Sequence, residues 1–382
     1  MKAGIAGSGV FGVAAAIELR RRGHEVTVFE QDDVPGSRAG STDVAKAIRK
    51  LGYGVAFPGA GTKPVYVELV EQAARQWREW ERTFSRPVYH QVGQMLVDSQ
   101  FRPGMVVHDT WKYLTGLDLK IPVLSKKEAR ARFPQFEYLD GEVVVYDPWA
   151  GYIESGSAVA ELAAMARRQG VVIHEQAKVT AVRDTAKRAT VCVQGEDFSF
   201  DRVVVAAGTW LGRLAPAINK NIRVTRQQMV FFQLEDTSAF APERFPAWGV
   251  DIYTEGWYGF PLLRDGRIKV SSIVIGDVVD PDEARDATAA FIAQTKEFVA
   301  RRIPALKNGT VVGARSCFYD NTPDEDFIVD WAPGMQRVLL AGGGSGHGFK
   351  FGGSIGPVIA DALEDKDNPL GKEFRLAGRF GT

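Results

Sequence analysis

The sequence predicts an α/β (α+β) protein in which a Rossmann-like βαβ domain is joined to a second domain built on a mostly antiparallel sheet. Three observations carry that prediction. A short apolar strand, a glycine-rich turn, a helix and a second strand open the chain, MKAGIAGSGVFGVAAAIELRRRGHEVTVFE. A second strand–glycine–helix pattern closes it, VLLAGGGSGHGFKFGGSIGPVIADAL from Val338 to Leu363. Between them, Gln227–Val279 is rich in β-branched and aromatic residues punctuated by Pro and Gly, as antiparallel strands require.

The remaining elements follow from periodicity. Lys63–Phe84 reads as a long amphipathic helix, with Val67, Val70, Ala74 and Trp77 at three-to-four spacing. Strands are expected around Pro87–Ser99, a short helix over Lys126–Phe133 and an Ala-rich helix over Ser155–Gly170. VVIHEQAKVTAVR and TVCVQGEDFSFDRVVVAAGTW then read as a meander. It starts at Val171, carries Val179 as a candidate cofactor contact, and closes on a buried strand, Val203–Ala207, that ends at Gly208, where it is expected to meet the cofactor again. Cys192 in that meander is a small buried hydrophobe. A helix is expected over Asp282–Arg302. These elements divide into a discontinuous cofactor domain, 1–85, 145–215 and 315–382, and a covering domain, 86–144 and 216–314.

Composition narrows the function. The 382 residues carry 47 basic and 47 acidic side chains, so there is no basic excess to hold a nucleic acid. Two cysteines make no disulfide framework or zinc site. Neither a signal peptide nor an apolar run of membrane-spanning length is evident. A cytoplasmic protein with no membrane, metal or nucleic-acid partner is the expectation.

The opening βαβ unit carries Gly7, Gly9 and Gly12 in the Gly-x-Gly-x-x-Gly arrangement, with Val10 and Phe11 inside it. Gly7 allows the tight turn, Gly9 lets a pyrophosphate approach the helix amino terminus, and Gly12 lets helix and strand pack closely. Glu30, about twenty residues on, is placed for a ribose, with Gln31 beside it. The fingerprint indicates an adenine dinucleotide without choosing between FAD and NAD. The Gly/Ser-rich loop that follows offers Ser37, Arg38, Ser41 and Thr42 to the same ligand.

Taken with SCFYDNTPDEDF, GTW at Gly208–Trp210, YGFP at Tyr258–Pro261 and RIKV at Arg267–Val270, the closing segment resembles the sarcosine oxidase and fructosyl amino acid oxidase (amadoriase) family. These are FAD-dependent oxidoreductases of the D-amino acid oxidase superfamily. The resemblance implies FAD joined through sulfur at Cys317 to the flavin's 8-methyl carbon, with Gly346, His347, Gly348, Phe349 and Lys350 around the ring. It implies Lys350 as a clamp on the substrate carboxylate and Lys269 as the cation that favours reaction with O2. Tyr258 and Tyr319 become pocket residues, and His347 a shaping group. Either Lys46 or Arg49 supplies the second cation, since TDVAKAIRK departs from the sarcosine oxidase pattern Thr-Arg-Ile-Ile-Arg. Ile273 stands where those enzymes have a histidine, and the loop Gly52–Gly61 is expected at the site mouth. The implied activity is oxidation of a C–N bond in a secondary amino acid, N-alkyl or fructosyl, by a monomeric enzyme using O2 and releasing hydrogen peroxide. A dehydrogenase or cyclic imino acid oxidase on the same scaffold, or an electron-transferring flavoprotein subunit, is the alternative.

Overall fold

In the computed structural model, which describes residues 1–52 and 63–380, the apolar strand Lys2–Ala6 lies mid-sheet, because both its faces are covered. It pairs in parallel with Glu25–Phe29 on one side and Arg202–Val205 on the other. Val338–Gly342 extends the sheet in parallel, and Ile328–Trp331 closes that edge antiparallel. Strands buried on both faces read as continuous apolar runs, as VLLAG does here. The helices Val10–Arg21 and Gly352–Leu363 follow the parallel strands Lys2–Ala6 and Val338–Gly342, whose carboxyl ends point to one side, and that side is where a ligand crevice forms. The helix at Pro64–Glu81 buries Val67, Val70, Ala74 and Trp77, the face expected from spacing. The described residues contain no helix long and apolar enough to cross a membrane.

The second sheet has eight strands, and strand Thr310–Asn321 pairs along its whole length with Arg223–Gln233. Ile268–Ser272, Trp257–Gly259 and Ala247–Val250 continue it antiparallel, and Gln94–Asp98 joins Ala247–Val250 in parallel. Helix Ala289–Arg302 covers its outer face, where Phe298 stacks on Trp257 with ring centroids 4.5 Å apart. Residue 315, expected to open the last cofactor segment, lies in the middle of a strand of this sheet.

Two expectations need correction. Val172–His174 does not enter the meander; it pairs in parallel with Glu25–Phe29 and forms an edge of the first sheet, leaving Val179–Phe200 as the three-stranded meander. The helix expected from Asp282 begins at Ala289, capped by Thr288, whose Oγ1 accepts from the Phe291 amide at 3.2 Å. Asp282 instead accepts from Trp210 Nε1 at 2.7 Å. Residues 53–61 of the loop expected at the site mouth lie outside the described residues.

A small sheet of Lys46–Ile48, Gly151–Ile153 and Tyr89–His90 links the two large ones. Glu154 follows its central strand and is buried against Arg86 at 2.5 Å, His90 at 2.9 Å and Arg264 at 3.0 Å. Burial works to raise its pKa, but the hydrogen bonds from His90, Arg86 and Arg264 overcome this and hold it at about 2. A depressed carboxyl pKa adds stability above the unfolded value, 4.5, and loses it as pH falls towards the folded one. Glu154→Gln should therefore be less stable than the parent near neutrality. Denaturant midpoints of the two should converge as pH is lowered from about 4.5 towards 2.

Candidate functional site: a cofactor cavity beneath two sheets

The site starts where Lys2–Ala6 turns into helix Val10–Arg21. Gly7 has φ +103°, and a Cβ there would lie 2.4 Å from the Ala206 carbonyl oxygen; one on Gly12 would lie 2.0 Å from that of Gly7. Only glycine permits both approaches. No side chain caps the helix at Gly9, so the first-turn amides face the crevice, apart from Val10 N–H, which donates to Ser41 Oγ at 3.0 Å. Glu30 accepts from the Ser8 amide at 2.9 Å and the Ser8 hydroxyl at 2.8 Å, which aims its carboxylate across the turn.

These groups open onto a cavity of about 340 Å³ that runs from Glu30 and Gln31 to Lys46 and Tyr319. Gly7, Gly9, Val10, Phe11, Ser41, Val179, Gly208, Trp210, Gly346, Gly348 and Phe349 all contribute to its wall. Arg38 stands behind it, paired with Asp32 at 2.8 Å, and the Ser37 carbonyl accepts from Arg315. Thr42 Oγ1 and Thr209 Oγ1 are buried without a partner among the described residues. Buried hydroxyls without partners beside a glycine cradle are what an absent polar ligand would satisfy.

At the far end, strand alternation places Cys317 and Tyr319 on one face and Phe318 on the other. Cys317 is buried beside Met229 and Phe231, with Sγ 3.8 Å from the carbonyl oxygen of Gly40, a wall residue. Burial, followed by the neighbouring Tyr258 and Cys317, pushes the Tyr319 phenol pKa well above its usual value. Gly346 packs so close to the Tyr319 ring that a Cβ there would approach it to 2.3 Å.

The cations converge here. Lys46 lines the cavity. Lys269 lies behind it, 1% exposed, with its ammonium paired to Asp43 and donating to the Ala45 carbonyl at 3.0 Å. Lys350 is 5% exposed and donates to the His347 carbonyl at 2.7 Å. Burial, then Arg49 and Lys46, drives its pKa well below the usual lysine value. Arg49 also donates to the Leu51 carbonyl. His347 packs against Phe327 and Tyr66, and its Nε2 bonds the Glu325 carbonyl at 2.9 Å. Burial first, and Lys350 second, lower the His347 pKa to about 3, so the ring is neutral at physiological pH.

Two residues given no role from the sequence are central. Asp43 is the carboxylate beneath both Lys269 and Lys46. Asp320 accepts from the Gly343 amide at 2.9 Å and ties the closing glycine turn to the strand bearing Tyr319. Their only signal in the sequence was adjacency: Asp43 sits three residues before Lys46, and Asp320 directly follows Tyr319.

Residues 2–362 match the DAO family model, described as FAD dependent oxidoreductase. The chain belongs to that family. As a flavoenzyme it is 28% identical over 381 residues to N-methyl-L-tryptophan oxidase of Yersinia pestis (strain Pestoides F), covering 98% of each chain. Its fold is similar to that of glycine oxidase from Geobacillus kaustophilus, with TM-score 0.84, 20% identity and 99% of each chain covered. Amadoriase I from Aspergillus fumigatus is similar at TM-score 0.82 and 20% identity, with 98% of this chain and 89% of that one covered.

The glycine cradle, Glu30 and the unpartnered threonine hydroxyls fit FAD. The first-turn amides and Ser41 suit its diphosphate, and Glu30 suits its ribose. Gly12→Val should retain less than about a tenth of the parent's flavin, because a clash with the Gly7 carbonyl costs more than about 1.4 kcal/mol. The ratio of flavin to protein absorbance after purification measures it.

Proposed function

We propose that this flavoenzyme oxidises the C–N bond of a secondary amine derived from an amino acid, with O2 as acceptor and hydrogen peroxide as product. The observation that carries the reading is the gathering of Lys350, Arg49 and Lys46: burial first, and then Arg49 and Lys46, drive the Lys350 pKa well below its usual value. Like charges gathered out of water are relieved by an anion, and a substrate carboxylate is one. The full-length similarity to N-methyl-L-tryptophan oxidases favours an N-alkyl amino acid. We further read it as a monomeric cytoplasmic enzyme acting on a small-molecule amine.

FAD supplies the two-electron acceptor for the hydrogen leaving the carbon beside nitrogen. The protein's part is to bind, orient and exclude water. Lys350 with Arg49 holds the carboxylate, and Tyr258 and Tyr319 bound the amine. Fixing the reacting carbon in this way converts an encounter into a positioned contact. His347, neutral and wedged among aromatic rings, keeps the Gly346–Phe349 turn in shape. The cluster of Lys269, Lys46 and Asp43 carries a fixed net positive charge that favours electron transfer to O2. In this reading the parallel sheet and its glycine turns, drawn from 1–85, 145–215 and 315–382, bind FAD. The eight-stranded sheet, drawn mainly from 86–144 and 216–314, roofs the substrate.

Cys317 is the proposed covalent anchor, supported by its burial beside Gly40 and Tyr319. The denatured chain should then be heavier than its polypeptide by one FAD less two hydrogens, and Cys317→Ser should release all flavin on acid precipitation. An unmodified mass from protein isolated with flavin present sinks the anchor.

Lys350→Met tests the clamp. Removing one partner of a buried charged contact costs roughly 2–5 kcal/mol, so kcat/KM for N-methyl amino acids should fall roughly thirtyfold or more. The corresponding amines lacking the carboxyl group should react alike with parent and variant. Peroxide release with both substrate sets decides it, and undiminished turnover of the amino acids removes the reading.

A further inference from the structure

We propose that Asp43 is a positioning residue that gives two lysines different tasks: it holds Lys269 in a buried ion pair and leaves Lys46 as the net positive charge facing the cavity. Asp43 is itself firmly placed. Its Oδ1 accepts from the Val44 amide at 2.7 Å, and its carbonyl accepts from Ser155 Oγ at 2.6 Å and from the Gly156 amide at 2.9 Å. Oδ2 takes the Lys269 ammonium directly, while Lys46 Nζ stands 4.0 Å from the same oxygen.

The surroundings separate the two lysines further. Lys269 has its ammonium 5.2 Å from the centre of the Phe260 ring and 5.8 Å from that of Tyr258, and its side chain is 1% exposed. The Lys46 side chain is 16% exposed and forms part of the cavity wall. One carboxylate and two ammonium groups leave a single uncompensated positive charge, and it sits on the side of the cluster that faces the cofactor. In a site of low dielectric such a charge acts strongly on a neighbouring group that gains electrons.

The inference rests on the reading that the isoalloxazine ring occupies the Lys46–Tyr319 end of the cavity. It does not depend on which amine is oxidised, and its test uses no amine. The midpoint potential of bound FAD, measured by dye-equilibrated reduction at neutral pH, reads the net charge. Lys269→Met leaves Asp43 facing Lys46, so the potential should fall. Asp43→Asn leaves two cations without a counter-charge, so it should rise. Asp43→Asn combined with Lys269→Met restores a single positive charge and should return the potential to the parent's. A double variant that keeps the Lys269→Met potential overturns the proposal, as does an Asp43→Asn potential equal to the parent's. If Asp43→Asn alone fails to retain FAD, comparing Lys269→Met with the double variant still decides. Were the protein not an amine oxidase, amine turnover would be absent while this order of potentials persisted.

Discussion

The pairing of Arg223–Gln233 with Thr310–Asn321 is the contact on which the far end of the cavity depends. Its register sets Gln227 opposite Cys317 and Thr225 opposite Tyr319. Because side chains alternate along a strand, a slip of one residue would move Cys317 and Tyr319 to the opposite face of the sheet. Asp320, next along, then binds the Gly343 amide and so brings the second sheet against the glycine turn that ends Val338–Gly342. The cavity therefore has one wall of backbone from the parallel sheet and another of side chains from the antiparallel one. Neither sheet alone makes the enclosure.

Electrostatics at this junction follow from burial. Asp43 is taken fully out of water, which by itself would raise its pKa, yet Lys269 and Lys46 together hold it below the usual carboxylate value. Breaking such a pair by removing one partner leaves an isolated buried charge, a change worth roughly 3–5 kcal/mol. Lys350 is in the opposite position: burial and neighbouring cations work in the same direction and lower its pKa. Neighbouring cations thus oppose the effect of burial at Asp43 and add to it at Lys350.

Much of this was legible from the chain. Gly7, Gly9, Gly12 and Glu30 announce the cradle because glycine there answers a local steric demand that the neighbouring strand and helix already define. The core face of Pro64–Glu81 was equally plain, since a helical period is a local property. Asp43 was not, because its partner Lys269 lies 226 residues away and nothing in TDVAKAIRK marks which polar residue turns inward. The same holds for Val172–His174: two β-branched residues and a histidine suit a meander as well as a parallel edge, and only the crossover through Ser155–Arg168 decides between them.

The segment before Ala289 shows how such a local signal is overruled. Residues 282–288 have ordinary helix formers, and each helical residue gained is worth only a few tenths of a kcal/mol over its alternatives. Extended, the segment lets Asp282 receive Trp210 Nε1 and the Arg213 guanidinium, and lets Arg285 lie 3.6 Å over the Phe318 ring. Its backbone also completes Ser316, whose amide donates to the Arg285 carbonyl and whose hydroxyl donates to that of Asp286, each at 2.6 Å. Ser316 immediately precedes Cys317 and is fully buried, so an unmade hydrogen bond there would cost roughly 1–3 kcal/mol. Two such bonds outweigh a turn of helix, and the chain stays unwound where it braces the strand that carries Cys317.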